Sequence, residues 1–275
     1  MSVGPERLSL NTATVKHLNV RESVELCQRQ GIGNIGLWRE QVQEIGADAA
    51  ATIVRDAGLR VSSLCRSGFF TVEPSDRGRM LEDNQAAIEE AAAVGADVLV
   101  LVSGGLAPGS PSLPYARELI SEAISALTPV AAAAGVRLGI EALHPMFCAD
   151  RCAVSRLGQA LDLALQFPAE TVGVVVDSYH VWWDDMLLGE IARAGERIFS
   201  YQVCDWILPL PADMLLGRGH VGDGHIEFRP LTDAVEAAGY DGMIEVEIFN
   251  QEIWDAPPDE TARTVRERFA THIVD

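Results

Sequence analysis

The chain has 275 residues, of which 48% are hydrophobic and 22% are charged, a composition typical of a folded globular protein. Its 21 basic and 40 acidic residues give a formal net charge of −19, which repels phosphate backbones and anionic membrane surfaces, so we expect neither nucleic acid nor membrane as a partner. The first residues lack a signal-peptide pattern and no apolar run approaches the roughly 20 residues of a membrane span, so we predict a cytoplasmic protein.

Short apolar runs alternate with longer Ala-rich stretches of helical period along the whole chain. This alternation is typical of repeated βα units around a parallel sheet. The predicted strands cover residues 8–12, 34–38, 60–65, 97–102, 137–141, 172–177, 198–204 and 243–248. The predicted helices cover residues 21–30, 41–57, 80–94, 114–134, 155–166, 187–194, 231–238 and 260–270.

Eight such units account for the full length, because 275 residues divided among eight gives about 34 each. We therefore predict a single α/β domain, a (β/α)8 TIM barrel over residues 1–275. The alternative is an open doubly wound sheet with a nucleotide site. The turn after its first strand, residues 11–16, contains no glycine, and no phosphate-binding loop motif occurs in the chain, so we reject this alternative.

Polar residues occur at or near the ends of the last four predicted strands, where a barrel of this kind carries its active site. These residues are Glu141, Asp177, Gln202 and Glu247. Four oxygen ligands from four successive strands suit a divalent cation such as Mg²⁺ or Mn²⁺. The alternative is that each acid is solvated or paired with an arginine. Glu245 and Glu247 point to the same side of their strand, so the pattern alone does not choose between them.

Histidines and tryptophans add a second signal on the same side of the predicted barrel. Five histidines follow strand ends: His17, His144, His180, His220 and His225. His180 is the best placed, three residues after Asp177 and just before Trp182 and Trp183. Imidazole can orient hydroxyls or move protons, and an indole ring can stack on a sugar, although tryptophan also fills cores.

Basic residues follow several of the strands in a chain that has few of them: Lys16, Arg39, Arg66, Arg151 and Arg218. We expect them to bind an anionic or carbonyl oxygen, or to neutralise nearby acids. The loop after the seventh strand also contains His220, Asp223 and His225 among several glycines, which is typical of an active-site loop. The alternative interpretation of this loop is a structural Gly-Asp-Gly turn.

Several motifs along the chain occur together in one known family. They are Ile140-Glu141-Ala142-Leu143-His144-Pro145, Val176-Asp177-Ser178-Tyr179-His180, Gln202-Val203-Cys204-Asp205, Arg218 with Gly222-Asp223-Gly224, and Gly239-Tyr240-Asp241-Gly242 followed by Glu247. With these motifs the chain resembles the xylose isomerase-like barrel family, which includes ketose 3-epimerases, hydroxypyruvate isomerase and inosose dehydratase. The resemblance extends over essentially the whole chain.

The resemblance implies that Glu141, Asp177, Gln202 and Glu247 bind one divalent cation and that His180 and Arg218 contact the substrate. Many epimerases of the family carry histidine where this chain has Gln202. Glutamine there resembles the hydroxypyruvate isomerase and dehydroshikimate dehydratase branches.

We therefore expect a metal-dependent isomerase or epimerase that moves a proton next to the carbonyl of a sugar or related polyhydroxylated substrate, with Glu141 and Glu247 as the catalytic residues. The expected cation is Mn²⁺ or Mg²⁺, with Co²⁺ and Zn²⁺ as alternatives. The alternative activities are a lyase that expels a leaving group from the same intermediate, and a noncatalytic barrel that binds a small molecule. A homo-oligomer or a partner subunit stays open. The expected substrate contacts are His180, Arg218, His144, Trp182 and Arg66.

Overall fold

The computed structural model describes residues 3–274, so residues 1, 2 and 275 of the predicted domain lie outside the described part. Its strands are β1 Leu8–Asn11, β2 Asn34–Trp38, β3 Arg60–Gly68, β4 Leu99–Val102, β5 Leu138–Glu141, β6 Val172–Asp177, β7 Ile198–Val203, β8 Asp205–Trp206, β9 Arg218–Gly219 and β10 Ile244–Val246. Its α-helices are α1 Val20–Gln30, α2 Arg39–Ile45, α3 Ala47–Asp56, α4 Arg77–Val94, α5 Leu113–Ala134, α6 Leu157–Ala164, α7 Ser178–Val181, α8 Leu187–Ala194, α9 Phe228–Ala237, α10 Gln251–Asp255 and α11 Pro258–His272.

Eight of the strands close into a barrel in the order β1-β10-β7-β6-β5-β4-β3-β2. All neighbouring barrel strands are parallel, and the pair Leu8 and Ile244 joins the first strand to the last. Every residue of β5 and β6 is buried, as expected for strands covered by helices on one face and by the barrel interior on the other. The predicted (β/α)8 TIM barrel is therefore confirmed, with all eight of its strands.

The prediction of one helix over residues 41–57 is wrong. This stretch forms α2 and α3, and the chain bends between them at Gly46, whose φ of +86° lies outside the helical region. Three small elements were also not predicted: α7, α10 and the antiparallel hairpin of β8 and β9. The first of these begins directly at a strand end, because the Asp177 side chain accepts a hydrogen bond from the Tyr179 backbone N–H at 2.8 Å.

Two side chains hold the hairpin of β8 and β9 and the loop after it: Asp205, which belongs to β8, and Asn250, which follows β10. The Asp205 carboxylate accepts hydrogen bonds from the backbone N–H groups of Gly222, Gly224 and Ile226. Asn250 donates from Nδ2 to the backbone carbonyl of Arg218 at 2.8 Å. Arg218 is thereby fixed over the barrel mouth. None of the helices in residues 3–274 combines the length and apolarity needed to cross a membrane.

Candidate active site

A cavity of about 340 Å³ opens at the carboxyl ends of the barrel strands. Glu141, His180, Arg218 and Glu247 contribute its polar lining, and aromatic side chains form part of its wall. This volume lies within the range of pockets that hold small molecules. The cavity is therefore where the fold would be expected to carry out chemistry.

A charged cluster, the acidic floor, lies at the base of this cavity and consists of Glu141, Asp177, Glu247 and Arg218. Asp177 contacts Arg218 but is not itself part of the cavity lining. Glu141 ends β5, Asp177 ends β6 and Glu247 directly follows β10, and the three carboxylates are 5%, 0% and 4% exposed. Arg218 donates from Nη1 to Asp177 Oδ2 at 3.1 Å and to Glu247 Oε2 at 3.1 Å. Three carboxylates at −1 and one guanidinium at +1 give the acidic floor a formal charge of −2 when all three carboxylates are ionised.

Burial and mutual repulsion change the acidity of the acidic floor. Burial raises the pKa of Glu141 well above its usual value, and the charges of Asp177 and Glu247 raise it further. Burial also raises the pKa of Glu247, to about 7, although Arg218 opposes this shift. Glu247 can therefore exchange a proton near neutral pH, which suits a general acid or base.

His180 lies against the acidic floor, between two hydrogen-bond donors. Its Nδ1 accepts a hydrogen bond from the backbone N–H of His144 at 3.1 Å, and its Nε2 lies 3.0 Å from Arg218 Nη2, a group that can only donate. A neutral imidazole accepts at one nitrogen only, so these two contacts do not assign the tautomer. Burial lowers the pKa of His180 well below its usual value, which keeps the ring neutral. Nε2 also lies 3.9 Å from Glu141 Oε1 and 3.8 Å from Asp177 Oδ2, so the ring is held beside both carboxylates.

A polar layer lies one step deeper in the barrel, and it consists of Asn11, Ser62, Ser63, Gln202 and Glu245. Glu245 is fully buried and accepts hydrogen bonds from all four of the others, including Asn11 Nδ2 at 2.7 Å and Ser63 Oγ at 2.8 Å. Gly36 on β2 leaves the space for it, since a Cβ there would lie 2.5 Å from Glu245 Oε2. Glu245 is thus satisfied inside the barrel, and Glu247 is the glutamate of this pair that reaches the cavity.

Glu245 also determines which way the Gln202 amide faces. A carboxylate only accepts hydrogen bonds, so the Gln202 atom 2.8 Å from Glu245 Oε1 is Nε2. The amide oxygen Oε1 is consequently directed elsewhere, and it is buried with no hydrogen-bond partner in the described part of the chain. A buried acceptor without a partner costs roughly 1–3 kcal/mol, so a ligand at this atom would stabilise the protein.

These observations fit a divalent cation at the acidic floor. Gln202 pairs with Asp177 in the register of β6 and β7, so the two side chains lie on the same face of the sheet. Ligand atoms of Glu141, Asp177 and His180 lie within 4.8 Å of one another. Glu141, Asp177, Glu247 and Gln202 Oε1 would hold the ion, and its +2 charge would balance the −2 of the acidic floor.

The other residues singled out from sequence are more scattered. Arg66 lines the cavity, whereas His144 and Trp182 are not part of its lining. His144 packs against Trp183 and Trp206, and Trp182 packs against Trp206 at a centroid distance of 5.6 Å. The substrate contacts expected for His144 and Trp182 remain predictions.

Other sequence candidates lie away from the cavity, and part of the cavity wall was not predicted. Arg39 donates to Asp83 and Glu90 and so serves as an internal counter-charge. Of the five histidines after strand ends, His180 lines the cavity.

Sequence reasoning missed two residues of the aromatic wall: Trp38, which ends β2, and Phe249, which follows β10. Their position at strand ends is the signal that could have found them.

The chain belongs to the xylose isomerase-like TIM barrel family, whose sequence model matches residues 22–272. A protein of Sinorhizobium meliloti 1021 with a solved structure is 45% identical, with a TM-score of 0.95 over 99% of this chain and 100% of its own. The IOLI protein, solved with a bound zinc atom, is 20% identical, with a TM-score of 0.84 over 99% of this chain and 98% of its own, and it shares the fold.

Curated relatives include isomerases and a dehydratase. An inosose isomerase of Bacillus velezensis is 24% identical over 276 positions, which cover 95% of each chain. The inosose isomerase of Bacillus licheniformis is 28% identical over 150 positions, 53% of this chain and 52% of that enzyme. The 3-dehydroshikimate dehydratase of Pseudomonas aeruginosa is 31% identical over 185 positions, 66% of this chain and 28% of that protein. The matched region therefore spans about half of the Bacillus licheniformis inosose isomerase and about a quarter of the Pseudomonas aeruginosa dehydratase.

Proposed function

We propose that this protein is a divalent-metal-dependent isomerase or epimerase that transfers a proton next to the carbonyl of a sugar or related polyhydroxylated substrate. The observation that carries the proposal is the acidic floor, with its formal charge of −2 and the unpartnered oxygen of Gln202 beside it. The inosose isomerases among the relatives support the same class of reaction. Mn²⁺ and Mg²⁺ suit these oxygen ligands, and Zn²⁺ and Co²⁺ are alternatives.

The chain's own residues divide the work of proton transfer. Glu247, which lines the cavity, would take the proton from the carbon next to the carbonyl. Glu141, which also lines the cavity, would return a proton to the neighbouring carbon or to the opposite face. A bound divalent cation would supply Lewis-acid polarisation of the carbonyl.

His180 and Arg218 would position the substrate during this transfer. His180 Nε2 lies 3.0 Å from Arg218 Nη2 and 3.9 Å from Glu141 Oε1, so the ring would contact a substrate hydroxyl or carbonyl oxygen bound beside the acidic floor. Arg218 already spans Asp177 and Glu247, and its Nε has no hydrogen-bond partner in residues 3–274. The donors of Arg218 would stabilise negative charge that develops on oxygen in the transition state.

The decisive experiment combines metal analysis with solvent exchange. Protein loaded with Mn²⁺ would be incubated with inososes and a panel of ketoses in deuterated water, and deuterium incorporation would be followed by mass spectrometry. We expect one bound ion per chain, exchange at a carbon next to the carbonyl, and loss of both in Asp177→Asn. The control Asp185→Asn changes an exposed aspartate beyond α7 and should leave both unchanged. No ion and no exchange with any substrate would refute the proposal.

The second candidate is a metal-dependent lyase or dehydratase. The match to 3-dehydroshikimate dehydratase favours it, and so does Gln202, which occupies the position where many epimerases carry histidine. The first step would be the same, and a leaving group on the next carbon would then depart. Product analysis in the same incubations separates the two, because a dehydratase yields a product 18 mass units lighter than its substrate. A noncatalytic barrel would bind ligand without exchange.

A further inference from the structure

Arg66 lines the cavity mouth, and its guanidinium contacts two aromatic rings and one carboxylate. Its Cζ lies 4.5 Å from the centroid of the Phe69 ring and 5.5 Å from that of Trp38. Stacking on ring faces occupies the faces of the guanidinium and leaves the N–H groups at its edge available. Within residues 3–274 the Arg66 side chain makes no hydrogen bond, and its one ion pair, to the exposed Glu40, is 3.8 Å long.

Arg39 shows what an arginine with a structural role looks like in the same part of the fold. Arg39 follows β2 and Arg66 lies within β3, the neighbouring strand. Arg39 is 7% exposed, and its guanidinium donates to both Asp83 and Glu90. A chain with a net charge of −19 has ample carboxylates to pair with Arg66 in the same way. Arg66 nevertheless lines the cavity with a single long ion pair and no hydrogen bond in residues 3–274.

Phe69 is positioned at a structural cost that supports this reading. It is 40% exposed, and its φ of +53° lies in the left-handed region that residues other than glycine rarely adopt. Strained residues of this kind tend to cluster at ligand-binding sites. In this conformation Phe69 lines the cavity and stacks on the Arg66 guanidinium. Its ring therefore helps to fix the direction of the Arg66 donors before any ligand arrives.

We propose that Arg66 binds a carboxylate of the substrate, so that the substrate is a hydroxylated keto acid and not a neutral ketose. The inference rests on the proposed function and narrows its substrate class. A guanidinium fork matches the two oxygens of a carboxylate. Glu40 lies 3.8 Å from Arg66, and Asp150 lies 3.9 Å from Arg151, the other arginine of the mouth. These acids disfavour a doubly charged phosphate more than a singly charged carboxylate.

The test compares inert ligands that differ in one group. Calorimetry on the Mn²⁺-loaded full chain would measure the binding of D-gluconate, D-glucitol and D-glucitol 6-phosphate. We expect gluconate to bind about tenfold to a hundredfold more tightly than glucitol, as for a charge-assisted hydrogen-bonded pair. Arg66→Gln should remove this difference and change glucitol affinity by less than about twofold. Tighter binding of the phosphate than of gluconate would overturn the assignment of a carboxylate.

Two further variants make the result specific. Arg55→Gln removes an arginine that is exposed and pairs with Asp56, so it should leave gluconate binding unchanged. Phe69→Leu keeps the charge of Arg66 but removes one stacking ring, and we expect about a threefold loss for gluconate alone. If the bound cation held the carboxylate instead, Asp177→Asn would weaken gluconate binding while Arg66→Gln would not, and the inference would be wrong.

The outcome separates this inference from the proposed function. Solvent exchange with neutral ketoses, together with no effect of Arg66→Gln on gluconate binding, would leave the proposed function standing and refute the role of Arg66. Selective gluconate binding through Arg66 without proton exchange on any substrate would leave the role of Arg66 standing and refute the proposed function.

Discussion

The acidic floor and the polar layer beneath it are built from the same kinds of side chain, yet their chemical states differ. Glu245 and Glu247 lie two residues apart on one strand and are both buried. Glu245 accepts hydrogen bonds from Asn11, Ser62, Ser63 and Gln202. Glu247 shares one guanidinium with Asp177, and its pKa is raised to about 7. Burial alone therefore does not make a carboxylate reactive. The number of hydrogen-bond donors around the carboxylate distinguishes Glu245 from Glu247.

This difference shows how the polar layer supports the acidic floor. The polar layer is saturated with internal hydrogen bonds and serves as a fixed support. The acidic floor is short of donors and of positive charge, so it is the layer that gains from a cation or a substrate. Gln202 belongs to both, because its Nε2 is bound by Glu245 while its Oε1 has no partner in residues 3–274. Substitutions in the two layers should therefore affect different measurements.

The largest expected effect comes from Glu247→Gln. The amide keeps the shape of the side chain but cannot take up a proton, so the rate of solvent exchange should fall about 10²- to 10⁴-fold. Steady-state deuterium incorporation on the Mn²⁺-loaded protein measures it. Glu252→Gln is the matched control, because it makes the same change at an exposed position shortly after Glu247 and should keep full activity. Full activity of Glu247→Gln would remove Glu247 from the mechanism.

Arg218→Met should give the next largest effect, on stability. The substitution leaves Asp177 and Glu247 without their buried counter-charge, and the free energy of unfolding of the metal-free protein should fall by about 3–5 kcal/mol. Saturating Mn²⁺ should raise the free energy of unfolding of the variant by more than it raises that of the parent protein. Urea denaturation with and without the ion measures both. Arg193→Met, which breaks half-exposed ion pairs, should cost under about 1 kcal/mol.

Glu245→Gln should act on the cation through Gln202. An amide at 245 can face Gln202 with either its oxygen or its nitrogen, so the orientation of Gln202 Oε1 is no longer imposed. Loss of such a supporting contact typically costs about 10- to 100-fold in metal affinity. Mn²⁺ titration followed by electron paramagnetic resonance measures it, and circular dichroism checks the fold. An unchanged affinity in a folded variant would contradict the role given to Glu245.

The smallest effect is expected from Ser62→Ala. Glu245 loses one of its four donor residues, so the free energy of unfolding should fall by about 1–2 kcal/mol. Cation affinity should stay the same, because Gln202 keeps its own bond to Glu245. The comparison variant Ser121→Ala loses a hydrogen bond to Gln166 at the surface and should cost less. A large change in cation affinity for Ser62→Ala would show that the two layers are not separable.

The barrel could be predicted because its signals are local. Strands such as β6 are continuous apolar runs, and these runs alternate with Ala-rich helices, so one pattern repeats along the chain. The break at Gly46 was missed because strong helix formers lie on both sides of it, glutamate and glutamine before it and alanine after it. The β8–β9 hairpin was missed because its contacts join residues that are distant along the chain, among them Asp205 with Gly222 and Asn250 with Arg218.

For the site, the sequence indicated the residue types but not their states. Strand ends identified Glu141, Asp177, Gln202 and Glu247, and the resemblance to a known family selected Glu247 over Glu245. The layer structure of the barrel was needed to show why, since Asn11, Ser62 and Ser63 come from β1 and β3, far along the chain from Glu245. The role of Arg66 likewise depends on rings brought from β2 and the end of β3.

Trp38 connects these regions through a single indole. Its Nε1–H is shared between Asn11 Oδ1 at 2.9 Å and Glu247 Oε1 at 3.3 Å, and its ring lies 5.5 Å from the Arg66 guanidinium. A substitution that shifts this ring would disturb Glu247, the proposed proton-transfer group, and Arg66, the proposed ligand-binding group, together. Changes at Arg66 and Glu247 should then be non-additive in a double-mutant cycle. Under the proposed function, one side chain of the barrel wall would thus couple substrate choice to catalytic rate.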